Sequence, residues 1–176
     1  MFIRKYGTIH LQKINNKILM HITKNKDNEL EITTKKALIK LGDKVFINDV
    51  ELEGEGEYEV SRVAIEGVDD SIYLITAEDV QMGLVDFKGK ISKEKSEKLS
   101  DVSVLVAKLN GEIGDTIDQV NQIEPSVVIF FGTEEMKAGI RSGGFSFEEV
   151  EEVKISKADI EEKQNSYFIN SNGKTV

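Results

Sequence analysis

The sequence has no cysteine among its 176 residues. That excludes disulfides, thiolate zinc sites and thiol nucleophiles at once, and it fits a reducing compartment. Histidine is nearly as scarce: His10 and His21 are the whole supply. No apolar run is long enough for a signal peptide, starting from Met1-Phe2-Ile3-Arg4-Lys5-Tyr6-Gly7, or for a bilayer span. A cytoplasmic protein without membrane contact is the expectation. Positive charge is in deficit, with 23 Lys and Arg against 32 Asp and Glu and a formal net charge of −9. Such a surface repels phosphate backbones, so nucleic acid is not an expected partner. No serine sits in a Gly-x-Ser-x-Gly elbow, which leaves Ser–His catalysis without a starting point.

What is there is strand. A chain of this length buries about 70% of its unfolded surface and needs no cross-links. Phe2–Gln12 and Lys17–Thr23 flank Asn15-Asn16, which suits a hairpin turn because Asn tolerates positive φ. Leu30–Thr33, Lys36–Leu41 and Lys44–Ile47 follow, the last two joined at Gly42-Asp43. Arg62–Gly67, Ser71–Thr76 and Val80–Phe87 continue the meander through Asp69-Asp70. These runs carry β-branched residues and are too short for helices.

The period then changes. Ser92 caps an expected helix over Lys93–Leu99, and Val102–Ala107 reads as a buried strand. Asp115–Ile123 places Ile117, Val120 and Ile123 on one helical face and stops before Pro125. Ser126–Phe131 is the most apolar strand. Thr133 caps a further helix whose first turn holds Glu134 and Glu135, which suits the helix dipole. Ser142-Gly143-Gly144 reads as that helix's stop, not as a phosphate cradle. Glu151–Ile155 and Ser166–Ile169 close the chain as strands. Many antiparallel strands followed by strand–helix–strand–helix indicate a sheet sandwich with helices on an outer face.

One constellation is unusual. Asp49, Glu51, Glu53, Glu55, Glu57 and Glu59 occupy every odd position, which in an extended chain puts six carboxylates on one side. Calcium takes six to eight oxygens, but carboxylates along one strand face diverge instead of converging. Gly54 and Gly56 also interrupt the run. A solvated acidic edge that blocks strand pairing is the simpler expectation. His10 and His21 fall on neighbouring expected strands and read as strand histidines, not as a ligand pair.

The order of segments from Gly56 onward resembles a family. Gly56-Glu57-Tyr58-Glu59-Val60, then Val63-Ala64-Ile65-Glu66-Gly67-Val68, then Ser71-Ile72-Tyr73-Leu74-Ile75 resemble consecutive segments of the metallo-β-lactamase superfamily. The subgroup is the one that contains ascorbate-6-phosphate lactonase and related zinc-dependent hydrolases. Leu84-Val85-Asp86 is similar to its Leu-Gly-Asp motif, and Leu99 to Val106 to its Leu-x-Asp-Val-Asp-Val-Leu-Leu strand. Ile123 to Ile129 resembles its Ile-x-Pro-x-x-Val-Ile strand, and Val153 to Ile160 its closing segment. The resemblance implies a zinc site made of a His-x-His-x-Asp-His loop, a further His, the aspartate at Asp86 and a final His at the position of Gly132. This chain offers only the aspartate.

The expected fold class is therefore α+β (αββα-related), a two-sheet β-sandwich of metallo-β-lactamase type. Its helices fall mainly in the C-terminal half, and its N-terminal half is reduced to strands. One domain over 1–176 is expected, with divergent N-terminal strands over 1–55, a family-like portion over 56–169 and a tail over 170–176. The expected function is that of a non-catalytic, metal-free binding, scaffold or regulatory module, with no catalytic or cofactor-binding residue and no cofactor. Asp86 is the sole suspected remnant of the metal site. The alternative is a metal-dependent hydrolase with a non-standard carboxylate site around Asp86. Partners are an unidentified protein or small molecule, and a homodimer is possible if the N-terminal sheet keeps a bare apolar face.

Overall fold

The computed structural model describes residues 17–162 and 164–170. The chain opens with a meander, β1 (Ile18–Lys24), β2 (Leu30–Thr34), β3 (Leu38–Leu41), β4 (Val45–Ile47) and β5 (Val50–Leu52). It then crosses to a second meander, β6 (Gly56–Val60), β7 (Val63–Asp69), β8 (Ile72–Ala77) and β9 (Val80–Phe87). Helices enter after that: α1 (Lys93–Lys98), β10 (Val104–Leu109), α2 (Ile113–Ile123), β11 (Val127–Phe131) and α3 (Glu134–Ser142). The chain finishes with β12 (Glu148–Val150), β13 (Glu152–Ser156), α4 (Lys157–Glu161) and β14 (Asn165–Ile169).

Two sheets result. One is wholly antiparallel, in the order β13-β1-β2-β3-β4-β5. The other is mixed, in the order β12-β14-β11-β10-β9-β8-β7-β6. Within the second, β9, β10, β11 and β14 run parallel, and β6 to β9 form an antiparallel meander. Three two-residue hairpins hold the register. Asn48-Asp49, Ser61-Arg62 and Glu78-Asp79 all have positive φ at both central positions, the type I′ geometry whose twist matches that of the flanking strands.

Strand alternation decides which residues meet. Met20, Ile22, Ile32 and Ile39 from the first sheet face Ile65, Ile75, Val104 and Ile129 from the second, all in one buried layer. The intervening residues Val85, Leu105, Val128 and Phe130 point the other way, under Leu99, Val120, Ile123 and Ile140 of the helical layer. Strands β10 and β11 are thus covered on both faces, which is why they read as unbroken apolar runs. Val104, Leu105, Val127 and Ile129 are fully buried. The change of sheet between β5 and β6 turns at Gly54, whose φ is +70°. Its carbonyl lies so close to Gly67 that a Cβ there would sit 2.0 Å from the oxygen. Tyr73 Oη accepts the Gly54 N–H at 2.9 Å and holds the turn down.

The expected elements stand with small changes of boundary. Short strands β5, β6 and β12 and the one-turn α4 were not separated out in the sequence, because three to five residues carry too little periodicity. The expected partner strand Phe2–Gln12, the turn Asn15-Asn16 and His10 lie outside the described residues. Within them, β1 is paired on one edge with β2 and on the other with β13. Among the described residues, α1, α2 and α3 cover the second sheet, while the one-turn α4 sits beside β13 of the first. The outer face of the first presents His21, Thr23, Glu31, Thr33 and Lys40, with Leu38 and Phe46 among them, between buried Met20, Ile22, Ile32 and Ile39, a mostly polar surface of the kind antiparallel sheets show to water. No helix among these residues is long and apolar enough to cross a membrane.

Candidate functional site

The four parallel strands β9, β10, β11 and β14 end at one end of the sandwich, and residues just beyond strand carboxyl ends are where sheets of this kind carry ligands. Asp86 sits there, one residue from the end of β9, in register with Lys108 of β10, which is itself in register with Phe131 of β11. Gly132 follows directly. The aspartate and the glycine singled out by the family resemblance therefore share one end of one sheet, two strand spacings apart. Lys24, at the end of β1, closes the same end from the other sheet. It is 5% exposed, and burial lowers its pKa against the opposing pull of Glu134 at the start of α3.

Asp86 has one side-chain hydrogen bond and two longer ion pairs. Asn110 Nδ2 donates to Oδ1 at 2.8 Å, and Oδ2 faces Lys108 Nζ at 3.7 Å and Lys88 Nζ at 3.8 Å. Its side chain is 16% exposed and that of Lys108 19%. Lys108 Nζ also donates to the carbonyl of Gly42 at 2.9 Å, in the turn between β3 and β4, so one ammonium ties the two sheets together. Beside this cluster lies a cleft of about 330 Å³ with Asp69, Ser71, Ser92 and Lys95 on its walls. There Lys95 pairs with Asp69. Burial pushes the Asp69 pKa up, but Lys95 and the backbone N–H groups of Ser71 and Ile72 together bring it below the usual carboxylate value.

A zinc ion does not fit these residues. It needs three or four convergent N, S or O donors, and among the described residues no group of three His, Cys, Asp or Glu side chains could hold a metal. Asp86 already faces two ammonium groups, whose charge opposes a further cation. Position 132 is closed as well. A Cβ on Gly132 would lie 3.0 Å from Leu109 Cβ and 3.2 Å from Met136 Sδ, so an imidazole there requires those neighbours to move.

The other residues singled out from sequence are scattered. His21 lies on the outer face of the first sheet with Nε2 2.6 Å from Glu152 Oε2, while Asp86 is on the other sheet. The acidic run divides at the Gly54 turn. Asp49 sits in a hairpin, Glu51 on β5 beside Lys44, and Glu57 and Glu59 on β6 of the other sheet. The six carboxylates thus share no common face. Lys108 and Asn110 escaped sequence reasoning, although a lysine inside Val104-Leu105-Val106-Ala107-Lys108-Leu109 was a signal: a charge in a buried strand calls for a partner.

No family model matches the chain, and no curated protein does. Likeness appears in solved structures. The crystal structure of a candidate Zn-dependent hydrolase of the metallo-β-lactamase superfamily from Thermotoga maritima is similar with a TM-score of 0.62. The match covers 86% of this chain and 100% of that one, at 15% identity. The chain has the metallo-β-lactamase fold. At this identity the likeness speaks for architecture alone. Within it, the described metallo-β-lactamase sandwich keeps both sheets and the helical layer over the second.

Proposed function

We propose that this protein is a metal-free, non-catalytic member of the metallo-β-lactamase superfamily, from the side of the family that includes ascorbate-6-phosphate lactonase. It acts as a binding, scaffold or regulatory module. The observation that carries this reading is the set of partners around Asp86. Asn110 donates to one Asp86 oxygen, and the ammonium groups of Lys108 and Lys88 lie within 4 Å of the other, so positive charge already faces this carboxylate and opposes a cation there. The polar cleft beside it, walled by Asp69, Ser71, Ser92 and Lys95, is the place this reading gives to a small polar ligand.

The second reading, a hydrolase with a carboxylate metal site around Asp86, draws support from Asp69, which shares that cleft. Elemental analysis of protein purified without chelator separates the two. The module reading expects no stoichiometric zinc, manganese or calcium, and no metal-dependent shift in melting temperature. One metal per chain that disappears with Asp86→Ala establishes the hydrolase reading instead.

A further inference from the structure

Charge is spread unevenly along this chain. Its net charge is −9, yet the segment from Lys88 to Lys98 carries Lys88, Lys90, Lys93, Lys95 and Lys98 against Glu94 and Glu97. The segment leaves the end of β9, and its first half walls the cleft of about 330 Å³ beside Asp86. The charges around that cleft do not cancel. Asp69 is matched by Lys95. Asp86 is shared between Lys108 at 3.7 Å and Lys88 at 3.8 Å, so one carboxylate faces two ammonium groups. Lys90, exposed on the same wall, has no ion pair among the described residues. Glu55 and Glu94 also act on Lys95 but line no part of the cleft. The result is a local surplus of positive charge on a protein that is acidic elsewhere, and such a surplus draws anions.

The uncharged groups of the cleft suit the same kind of ligand. Ser92 Oγ accepts the Lys95 N–H at 3.4 Å as the cap of α1, which leaves its own proton free to donate. Ser71 gives its N–H to Asp69 Oδ1 at 2.7 Å and adds a second hydroxyl to the wall. Both carboxylates already face lysine, so donors outnumber acceptors. A neutral polyol would leave the extra ammonium groups unmatched, and a cation would be repelled by them. Ile72, buried, and Ile91, half-buried, supply an apolar stretch between the polar groups. The volume lies at the small end of ligand pockets, which suits a molecule of a few carbons.

We propose that this cleft binds a small organic dianion, a short carbon chain whose negative charges sit on two carboxylates or on one phosphate ester. Lys88 and Lys90 supply the matching charge, the Ser71 and Ser92 hydroxyls donate to its oxygens, and Ile72 and Ile91 lie against its carbons. The assignment rests on the metal-free module reading. Calorimetric titration of the full chain, before and after passage over a chelating resin, tests it. The probes are succinate and glycerol 3-phosphate, with acetate as the monoanion. At least one dianion should bind about tenfold or more tightly than acetate, and the tighter of the two identifies which acid group the cleft takes. Lys88→Gln/Lys90→Gln should weaken that binding about tenfold or more. Lys35→Gln/Lys36→Gln, an exposed pair in the β2–β3 turn, removes the same charge and should change it by less than about twofold. No binding of either dianion before or after the resin, or acetate binding as tightly, overturns the inference and leaves the module reading in place. Undiminished binding in Lys88→Gln/Lys90→Gln, or equal weakening by both double variants, also overturns it, since the cleft then does not attract the anion. Binding that the resin abolishes together with a bound metal overturns the module reading, and this inference with it.

Discussion

Replacing Lys108 with Met keeps the length and apolar stem of the side chain and deletes its charge, which makes it a clean probe of the Asp86 cluster. At 3.7 Å the attraction between unit charges is about 4–5 kcal/mol for an effective dielectric near 20. Both side chains are less than one-fifth exposed, so desolvation returns much of that. Lys108→Met also strips the Gly42 carbonyl of its donor and leaves Asp86 to Lys88 and Asn110 alone. A loss of about 2–3 kcal/mol is expected for Lys108→Met, and about 1–2 kcal/mol for Asp86→Asn. The double variant should fall short of the sum by about 1–2 kcal/mol, since the second change removes a partner already gone. Urea denaturation of all four proteins, read by circular dichroism, supplies the cycle. A coupling below about 0.3 kcal/mol means the two groups are independent. The account of Asp86 as a carboxylate held by lysine then fails.

Ile129 is fully buried at the centre of the inter-sheet layer, so Ile129→Ala should cost about 2–5 kcal/mol through lost transfer energy and a cavity. A urea-derived loss below about 1 kcal/mol would remove β11 from the core. Gln119 of α2 is 4% exposed, and neither amide atom has a hydrogen-bond partner among the described residues. Gln119→Leu should therefore raise stability by about 1–2 kcal/mol, and a loss in thermal melting would show that the amide is satisfied. Glu149 is held at a pKa of about 2, below the usual 4.5, first by Arg141 and then by Lys137. Its folded-state pKa is depressed, so its contribution is complete above about 4.5 and fades as pH falls toward about 2. Glu149→Gln should flatten the acid limb of the stability curve in that window. A carboxyl titration by NMR with an ordinary midpoint would contradict the assignment.

Much of this architecture could be read from residue order. The apolar run Val127-Val128-Ile129-Phe130-Phe131 admits little except a strand covered on both faces, and Ser92 and Thr133 announce their helices by local capping that needs no distant contact. The scarcity of metal-binding donors is a matter of residue counts, because two histidines and no cysteine cannot supply a histidine cluster. Period-two spacing misled where the chain turns. The odd-numbered carboxylates from Asp49 to Glu59 look like one face only if the backbone stays straight, and the positive φ at Gly54 sends them to two different sheets. What surrounds Asp86 was also beyond local reading. Lys108 lies 22 positions further along the chain, Asn110 lies 24 positions along, and the Gly42 carbonyl comes from the opposite sheet. Parallel pairing of β9 with β10 sets Lys108 beside Asp86, and sandwich closure brings Gly42 over both. Sequence alone determined which donor side chains the chain carries, two histidines and no cysteine among them. Only the packing of two sheets decided that Lys108 and Asn110 meet Asp86.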